Sequence, residues 1–176
     1  MSPAVLRVLL DRIPSMIQPA LLQGHCRHSV RNHVFPGTIP ETASLPRQPK
    51  QQQSAMMDSV VSGVLLQDLT VHEMRVLDWF EGDEYERTNV SVQVPNSTPG
   101  LLTFTTGTSE EEKEEDIPFQ VVPTQTYLWS NPLSDLDMST EWSYDNFLRR
   151  HEEWYLEHTV RPCRVELDEL HKSGSA

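Results

Sequence analysis

The first forty residues carry two different patterns of apolar positions. Residues 4–13 place apolar side chains three or four positions apart, as on one face of a helix, and Pro14 then ends the run. Between residues 20 and 39, short apolar stretches are broken by glycine, asparagine and proline, which is typical of two or three short strands joined by tight turns. The pattern therefore predicts one amphipathic helix followed by a small group of strands.

The middle of the chain predicts a buried strand and a capped helix. Residues 60–66 form a largely apolar run of strand length. Thr70 and Glu73 have the spacing of a capping box, in which each side chain accepts a hydrogen bond from the backbone N–H of the other residue. A helix over residues 71–80 is expected to follow and to end at a glycine, so Glu81 should lie at its C-terminal end or in the turn after it.

The last part of the chain returns to strands and then to helices. Residues 85–94 alternate between apolar and polar side chains, and residues 119–129 form a second strand-like segment. A helix that begins at Ser139 or Ser143 is expected to end at Pro162. A shorter helix is then expected before a tail of serine and glycine.

Two polar stretches interrupt this order. Residues 45–58 have no periodicity and few groups to bury, and residues 110–116 contain six acids and one base. Both stretches are expected to lie in solvated loop insertions, at about residues 45–58 and 107–117 of one domain that spans residues 1–160. Residues 161–176 are expected to form a short C-terminal helix and a polar tail.

The overall charge and composition exclude some classes of partner. The 176 residues include 14 Lys and Arg against 26 Asp and Glu, which gives a formal net charge of −12. Binding of nucleic acid depends on clustered basic side chains, so we expect no nucleic-acid partner. No apolar run approaches the roughly 18–20 residues needed to cross a bilayer, so we expect no membrane partner. The two cysteines and the lack of a recognisable secretory leader predict a cytoplasmic protein.

A group of metal-ligand residue types lies near the first strands. His25 and His28 flank Cys26, but the two histidines would face opposite sides of a strand, and no second Cys/His pair lies at zinc spacing. The sequence therefore predicts no metal site.

The most informative motif is LDWFEGDEYER at residues 77–87. Four further segments fit the same family pattern in order and approximate spacing, namely LLQGH at 21–25, VFPGTI at 34–39, VSGVL at 61–65, and TYLW at 126–129 together with EWSYDNF at 141–147. Together they resemble the gamma-glutamylcyclotransferase-like family, in particular its plant and fungal avirulence-induced-gene-like branch. The resemblance implies an α+β fold in which a small, mixed or antiparallel, barrel-like sheet is flanked by helices.

The resemblance also implies a reaction and a substrate class. In that family the α-amine of a γ-glutamyl group attacks its own γ-amide carbonyl, which releases 5-oxoproline and an amine. The implied partner is a small-molecule γ-glutamyl amine or peptide, and no cofactor is needed because the reaction is intramolecular. One carboxylate can take up a proton and later return it. The resemblance gives this general acid/base role to Glu81.

The neighbours of Glu81 support this role, although each residue also has an ordinary structural explanation. Trp79, Phe80 and Tyr85 would present apolar surface to Glu81 and so raise the pKa of its carboxyl. The substrate-binding residues that the resemblance implies are Phe35, Pro36, Gly37 and Tyr85. The alternatives are that Glu81 is a solvated acid at a helix end, that the proline and glycine form a plain turn, and that Tyr85 belongs to the core.

One departure from the family pattern supports a second hypothesis. The family begins with a strand and a loop of the form Y-G-[ST]-L, which holds the glutamyl end of the substrate, and this segment is absent from the sequence. The alternative function is therefore a catalytically impaired binding or interaction module on the same fold, with weak self-association through an exposed sheet edge. A third hypothesis is an interaction protein that recruits a basic partner through its acidic loop.

Overall fold

A computed structural model describes residues 1–44, 59–96 and 118–173. The insertions predicted at residues 45–58 and 107–117 lie outside the described residues. Among the described residues, no helix is both long enough and apolar enough to cross a membrane.

The first helix, α1 (Pro3–Leu10), forms where the apolar spacing predicts it. The hydroxyl of Ser2 accepts a hydrogen bond from the backbone N–H of Val5 at 3.3 Å, which caps the first turn. The helix ends at Leu10 rather than at residue 13 because Asp11 adopts a left-handed backbone conformation with φ 56°. Its apolar face is buried in the core of the protein.

Seven strands occur in the described residues. In chain order they are β1 (Met16–Gln23), β2 (His25–Val30), β3 (Pro36–Pro40), β4 (Val60–Gln67), β5 (Tyr85–Pro95), β6 (Phe119–Trp129) and β7 (Leu136–Glu141). They form a four-stranded sheet of order β4-β1-β5-β6 and a three-stranded sheet of order β3-β2-β7. Every recorded pairing is antiparallel.

The two sheets enclose a common interior. Strand β3 lies against β6 and strand β2 lies against β4, so the two sheets contact each other through these strands. The result is a barrel-like arrangement with helices packed around it. This architecture confirms the predicted α+β fold and shows that the pairing is antiparallel rather than mixed within the described residues.

Besides α1, the described helices are α2 (Glu41–Ser44), α3 (Val71–Glu81), α4 (Tyr144–Arg150), α5 (Glu152–Tyr155) and α6 (Arg161–Ser173). The predicted capping box at the start of α3 is present. The Thr70 hydroxyl accepts from the Glu73 N–H at 3.2 Å, and the Glu73 carboxylate accepts from the Thr70 N–H at 2.7 Å. The helix ends before Gly82, which has φ 59°, so Glu81 is its last residue, as the sequence indicates.

The C-terminal region departs from the sequence prediction in two places. Residues that were expected to start a helix at Ser139 form β7 instead, and the Asp137 carboxylate accepts hydrogen bonds from the backbone and hydroxyl of Ser139. Ser143 is the actual N-cap of α4, through a 3.2 Å hydrogen bond from the backbone N–H three residues later. Pro162 does not end a helix but is the second residue of α6.

A π-helical turn joins α5 to α6. It spans Leu156–Val160, and the N–H of Arg161 donates to the carbonyl of Leu156, five residues earlier. Farther along α6, the Arg164 guanidinium donates to the carbonyl of Leu9 and forms an ion pair with Asp11 at 3.2 Å. The last described helix is therefore fixed to the end of the first one.

The largest hydrophobic core lies between the helices and one end of the sheets. Its buried members are Val5, Leu6, Leu9, Leu10, Val76, Leu77, Phe147, Tyr155, Val160 and Leu167. Burial of a leucine or valine side chain stabilises the fold by about 1.5–3 kcal/mol each. Because α3 contributes Val76 and Leu77 to this core, the position of its C-terminal residue, Glu81, is fixed relative to the sheets.

Candidate functional site

A cavity of about 720 Å³ lies between the two sheets and the helices packed against them. Both sheets contribute to its wall, together with α1, α3 and the C-terminal helical segments. Part of its wall is a cluster of buried apolar side chains that includes Leu22, Leu65 and Val92. The titratable side chains in the wall include Glu81, Glu84, Arg27 and Arg87. The cavity thus combines an apolar body with a few charged groups, which is typical of small-molecule sites.

Glu81 lines the cavity at the point where α3 ends. Burial raises the pKa of its carboxyl to about 7, and the negative charge of Glu84 acts in the same direction. The amino group of Met1 also lies in this wall and has the opposite effect on Glu81. A carboxyl with a pKa near 7 can both accept and release a proton near neutral pH, which suits a general acid/base.

Tyr85 stands next to Glu81 in the cavity wall and is held from two sides. Its hydroxyl donates a 2.8 Å hydrogen bond to the carbonyl of Pro36, and its ring makes an edge contact with Trp129 at 5.4 Å between centroids. Burial and the charge of Glu81 both raise the pKa of the phenol, so Tyr85 keeps its proton. The Tyr85 side chain is therefore held in one position and is uncharged next to the carboxyl of Glu81.

Of the other three residues predicted to bind substrate, two line the cavity and one does not. Phe35 and Pro36 line the cavity, and Phe35 packs against Tyr155 with 6.2 Å between ring centroids. Gly37 is buried but does not line the cavity. A Cβ at that position would lie 2.6 Å from Leu136 Cδ2, so this glycine allows close packing between β3 and its neighbours.

Of the three aromatic residues expected near Glu81, two line the same cavity and one does not. Phe80 and Tyr85 share the cavity wall with it, as the sequence suggests. Trp79 does not, and lies instead beside Asp78 in a shallow depression on the other side of α3. Successive residues of a helix point about 100° apart, so Trp79 and Glu81 diverge although they are close in sequence.

A three-residue network lies one helical turn before Glu81. The Tyr127 hydroxyl donates a 2.7 Å hydrogen bond to Asp78 Oδ1, and Arg87 Nε lies 3.2 Å from the same oxygen. Arg87 lines the cavity together with Tyr85, because residues two positions apart on a strand share one face. The network balances the charge of Asp78 and connects α3 to β5 and β6. Tyr127 was not identified from the sequence, because its partners come from two other elements.

Arg27 is a second wall residue that sequence reasoning missed. It lies in β2 opposite Thr38 of β3, and both side chains line the cavity. The Arg27 guanidinium lies 5.1 Å above the centre of the Trp142 ring, and Trp142 is fixed by a 2.8 Å hydrogen bond from its indole N–H to the carbonyl of Val34. A charged residue on the inward side of a strand was the signal that could have indicated it.

The thiol in the cavity wall is not suited to nucleophilic chemistry. Burial raises the pKa of Cys163 to about 11, so it remains protonated near neutral pH. Over residues 1–44, 59–96 and 118–173, no three Cys, His, Asp or Glu side chains converge in a way that could hold a metal ion. Within that part of the chain, the group in the cavity wall best suited to proton transfer near neutral pH is the Glu81 carboxyl.

Comparison with known proteins identifies the family. The family model described as gamma-glutamyl cyclotransferase, AIG2-like, matches residues 1–144 of the chain. The chain belongs to this family. Among curated proteins, it is 33% identical over 159 residues to AIG2-like protein D of Arabidopsis thaliana, which covers 90% of this chain and 80% of that protein. AIG2-like protein A of the same plant is 27% identical over 155 residues, which covers 88% and 71% of the two chains.

A solved structure supports the fold of this AIG2-like chain. The solution structure of At5g39720.1 from Arabidopsis thaliana aligns with a TM-score of 0.51 at 24% sequence identity, covering 89% of this chain and 79% of that one. Both the predicted family resemblance and the predicted fold class are therefore confirmed. In the AIG2-like chain the motif at residues 77–87 begins near the end of α3 and runs into β5, which brings Glu81 and Tyr85 into the same cavity wall.

Proposed function

We propose that the protein is a γ-glutamyl cyclotransferase that acts on small γ-glutamyl amines or peptides and uses Glu81 as its general acid/base. The observation that carries this proposal is the partly buried Glu81 carboxyl, with a pKa of about 7, in the wall of a cavity large enough for such a substrate. Family membership supports the reaction class.

The reaction needs a proton relay and an orienting pocket. The α-ammonium of the substrate passes one proton to ionised Glu81, and the free amine attacks the γ-carbonyl carbon to close a five-membered ring. The bond from that carbon to the departing nitrogen then breaks as the nitrogen takes the proton from Glu81. The ring nitrogen loses a second proton, which the released amine takes up, and the products are 5-oxoproline and an ammonium ion. A carboxylate in this role accelerates such a reaction by roughly 10²–10⁴-fold.

The side chains around Glu81 suit this sequence of steps. Phe35, Phe80 and Tyr85 line the same cavity as Glu81, and burial of the Glu81 carboxyl keeps its pKa near neutral. Apolar walls also restrict the many conformations of a glutamyl chain and so favour the ring-forming geometry. Because Glu81 must be ionised to start the reaction, kcat/KM should rise with pH, reach half of its plateau at about pH 7 and level off above that.

The test is an assay for 5-oxoproline with γ-glutamyl dipeptides and γ-glutamyl-lysine isopeptide. We expect the wild-type protein to release 5-oxoproline and the Glu81→Gln variant to lose at least about 90% of that rate. The matched control is Glu86→Gln, which removes an acid from an exposed position of β5 that does not line the cavity. Turnover by Glu81→Gln above about a tenth of the wild-type rate would contradict the role of Glu81. Ligand binding without turnover by the wild type would instead favour the binding-module alternative.

A further inference from the structure

The helical segment near the C-terminus forms one side of the cavity. Its side chains Tyr155, Thr159 and Cys163 line the cavity, and they belong in turn to α5, the π-helical turn and α6. Residues four positions apart lie on the same face of a helix, so these three form one surface, called here the C-terminal wall. All three lie beyond residue 144, where the match to the family model ends.

Contacts on both sides hold the C-terminal wall in place. The Tyr155 ring contacts the Phe147 ring edge-on with 5.6 Å between centroids, and it lies 6.2 Å from the ring of Phe35. Farther along the segment, the Arg164 guanidinium donates to the carbonyl of Leu9. The C-terminal wall is therefore a fixed boundary of the cavity.

The C-terminal wall carries no charge near neutral pH. Burial raises the pKa of the Cys163 thiol to about 11, so the thiol keeps its proton. Burial also raises the pKa of the Tyr155 phenol, and the charge of Glu81 acts in the same direction. The third side chain, Thr159, does not ionise.

Helix α1 extends this uncharged surface. It packs against the π-helical turn and α6, and its buried residues Val5 and Leu6 also line the cavity. The charged side chains of the described wall, Glu81 and Arg87 among them, come instead from α3, the turn after it, β2 and β5. The amino group of Met1 also reaches the wall, where the charges of Glu81 and of an arginine act on it. The charged groups and the C-terminal wall thus occupy different parts of the cavity surface.

This division matches the two parts of a γ-glutamyl amine. The glutamyl part carries an α-ammonium and an α-carboxylate, and placing either charge against an uncharged wall costs free energy because the charge loses water without gaining a partner. The departing amine is bound as an amide and has no charge of its own. Its alkyl group gains free energy when it is buried against uncharged side chains.

We propose that the C-terminal wall is the subsite for the departing amine and that it selects γ-glutamyl compounds whose amine carries a small apolar group. This inference rests on the proposed function, because it names the class of γ-glutamyl compound that the same cavity accepts. Tyr155, Thr159 and Cys163 act in binding and specificity, and the proton transfers remain with Glu81. Thr159 and Cys163 have short side chains, so a larger residue at either position takes up space that the amine needs.

The first test compares three ligands in the wild-type protein. Binding of γ-glutamyl-methylamine, γ-glutamyl-isopropylamine and γ-glutamyl-alanine is measured by isothermal titration calorimetry at low temperature, so that turnover during the measurement is slow. The alanine compound differs from the isopropylamine compound only by a carboxylate in place of one methyl group. Because each buried methylene improves affinity about fourfold, we expect γ-glutamyl-isopropylamine to bind about tenfold more tightly than γ-glutamyl-methylamine. It should also bind at least about tenfold more tightly than γ-glutamyl-alanine.

A variant that narrows the subsite is the second test. Cys163→Phe should lose at least about tenfold in affinity for γ-glutamyl-isopropylamine but less than about twofold for γ-glutamyl-methylamine. The matched control is Val165→Phe, which adds the same ring at an exposed position of α6 that does not line the cavity, and its affinities should equal those of the wild type. Circular dichroism at the assay temperature confirms that each variant is folded.

The third test detects occupancy of the subsite in the wild-type protein. The reaction of each thiol with methyl methanethiosulfonate is followed by mass spectrometry at alkaline pH, where a thiol with a pKa of about 11 reacts at a measurable rate. A large excess of γ-glutamyl-isopropylamine should slow the reaction of Cys163 several-fold. Cys26 does not line the cavity, so its reaction should continue at the same rate and serves as the internal control.

The outcomes separate this inference from the proposed function. Equal wild-type affinity for the two alkylamine compounds, binding of γ-glutamyl-alanine at least as tight as theirs, an equal loss for both alkylamine compounds in Cys163→Phe, or no protection of Cys163 would each overturn the subsite. Release of 5-oxoproline in any of these cases would leave the proposed function standing. The expected selectivity without release of 5-oxoproline would support the subsite and contradict the cyclotransferase activity, whereas no binding and no release would overturn both. The first and third tests need no variant, so a folding defect in Cys163→Phe does not prevent a decision.

Discussion

The raised pKa of Glu81 predicts that the fold loses stability as the pH rises from about 4.5 through about 7. In the unfolded chain a glutamate has a pKa near 4.5, whereas in the folded protein burial raises it to about 7. The folded state therefore holds the proton more tightly, and stability is complete below about pH 4.5 and falls as the pH rises to about 7 and beyond. Because a tenfold difference in proton affinity corresponds to about 1.4 kcal/mol, the wild type should lose about 3 kcal/mol over this range from Glu81 alone.

The variant Glu81→Gln removes this contribution because the amide does not ionise. We expect the difference in unfolding free energy between Glu81→Gln and the wild type to move in favour of the variant by about 3 kcal/mol between pH 4.5 and 8. A constant offset from burying the amide does not affect this change with pH. The charged or titratable groups that interact with Glu81 are Met1, Glu84, Tyr85, Tyr127 and Tyr155, and all of them are present in both proteins.

The measurement is urea unfolding at several pH values, followed by the fluorescence of the four tryptophans. Glu86→Gln is the matched control, since Glu86 is exposed and its removal should leave the pH dependence of stability as in the wild type. If the curves of Glu81→Gln and the wild type ran parallel from pH 4.5 to 8, the carboxyl would be solvated rather than buried. The structural basis for its catalytic role would then be lost.

Three further changes test other parts of the structure. Gly37→Ala should destabilise the protein by about 1–3 kcal/mol in urea unfolding because its new methyl group meets packed side chains, whereas Gly63→Ala, with nothing within 4 Å, should stay close to the wild type. Glu73→Gln loses its 2.6 Å ion pair with the partly exposed Arg12 and should cost about 1 kcal/mol at pH 7. The pKa of Glu73 is lowered to about 2, so the destabilisation by Glu73→Gln should become smaller as the pH falls from 4.5 towards that value. A destabilisation that became larger in acid would contradict this prediction. Tyr127→Phe should reduce kcat a few-fold while the melting temperature changes little; an unchanged kcat would show that its bond to the neighbouring carboxylate does not position the active site.

Local signals account for the parts of the fold that could be predicted. The capping box at Thr70 and Glu73 involves only residues three positions apart. The glycine after Glu81 ends the helix because glycine readily adopts a positive φ angle. These two local features were enough to predict that Glu81 lies at the C-terminal end of α3. Its altered pKa could also be anticipated, because Phe80 and Tyr85 are close to it in sequence.

The features that escaped prediction depend on residues that are distant in sequence. Strand β7 has one fully buried side chain, Leu136, and is a strand because β2 offers it hydrogen-bonding partners. The position of Arg27 beside the Trp142 ring depends on the register of β2, which no local pattern specifies. Trp79 was expected near Glu81 but diverges from it, because neighbouring helical positions point in different directions.

The contact between Arg164 and Leu9 has a consequence for the order in which the protein folds. These residues are 155 positions apart. The apolar face of α1 is therefore fully buried only after α6 has packed against it. Contacts between such distant parts of a chain form late, since the loop between them must close first. During synthesis the cavity that contains Glu81 would therefore be completed only after the first turn of α6 has left the ribosome. Until then, the exposed leucines of α1 are a natural binding target for chaperones.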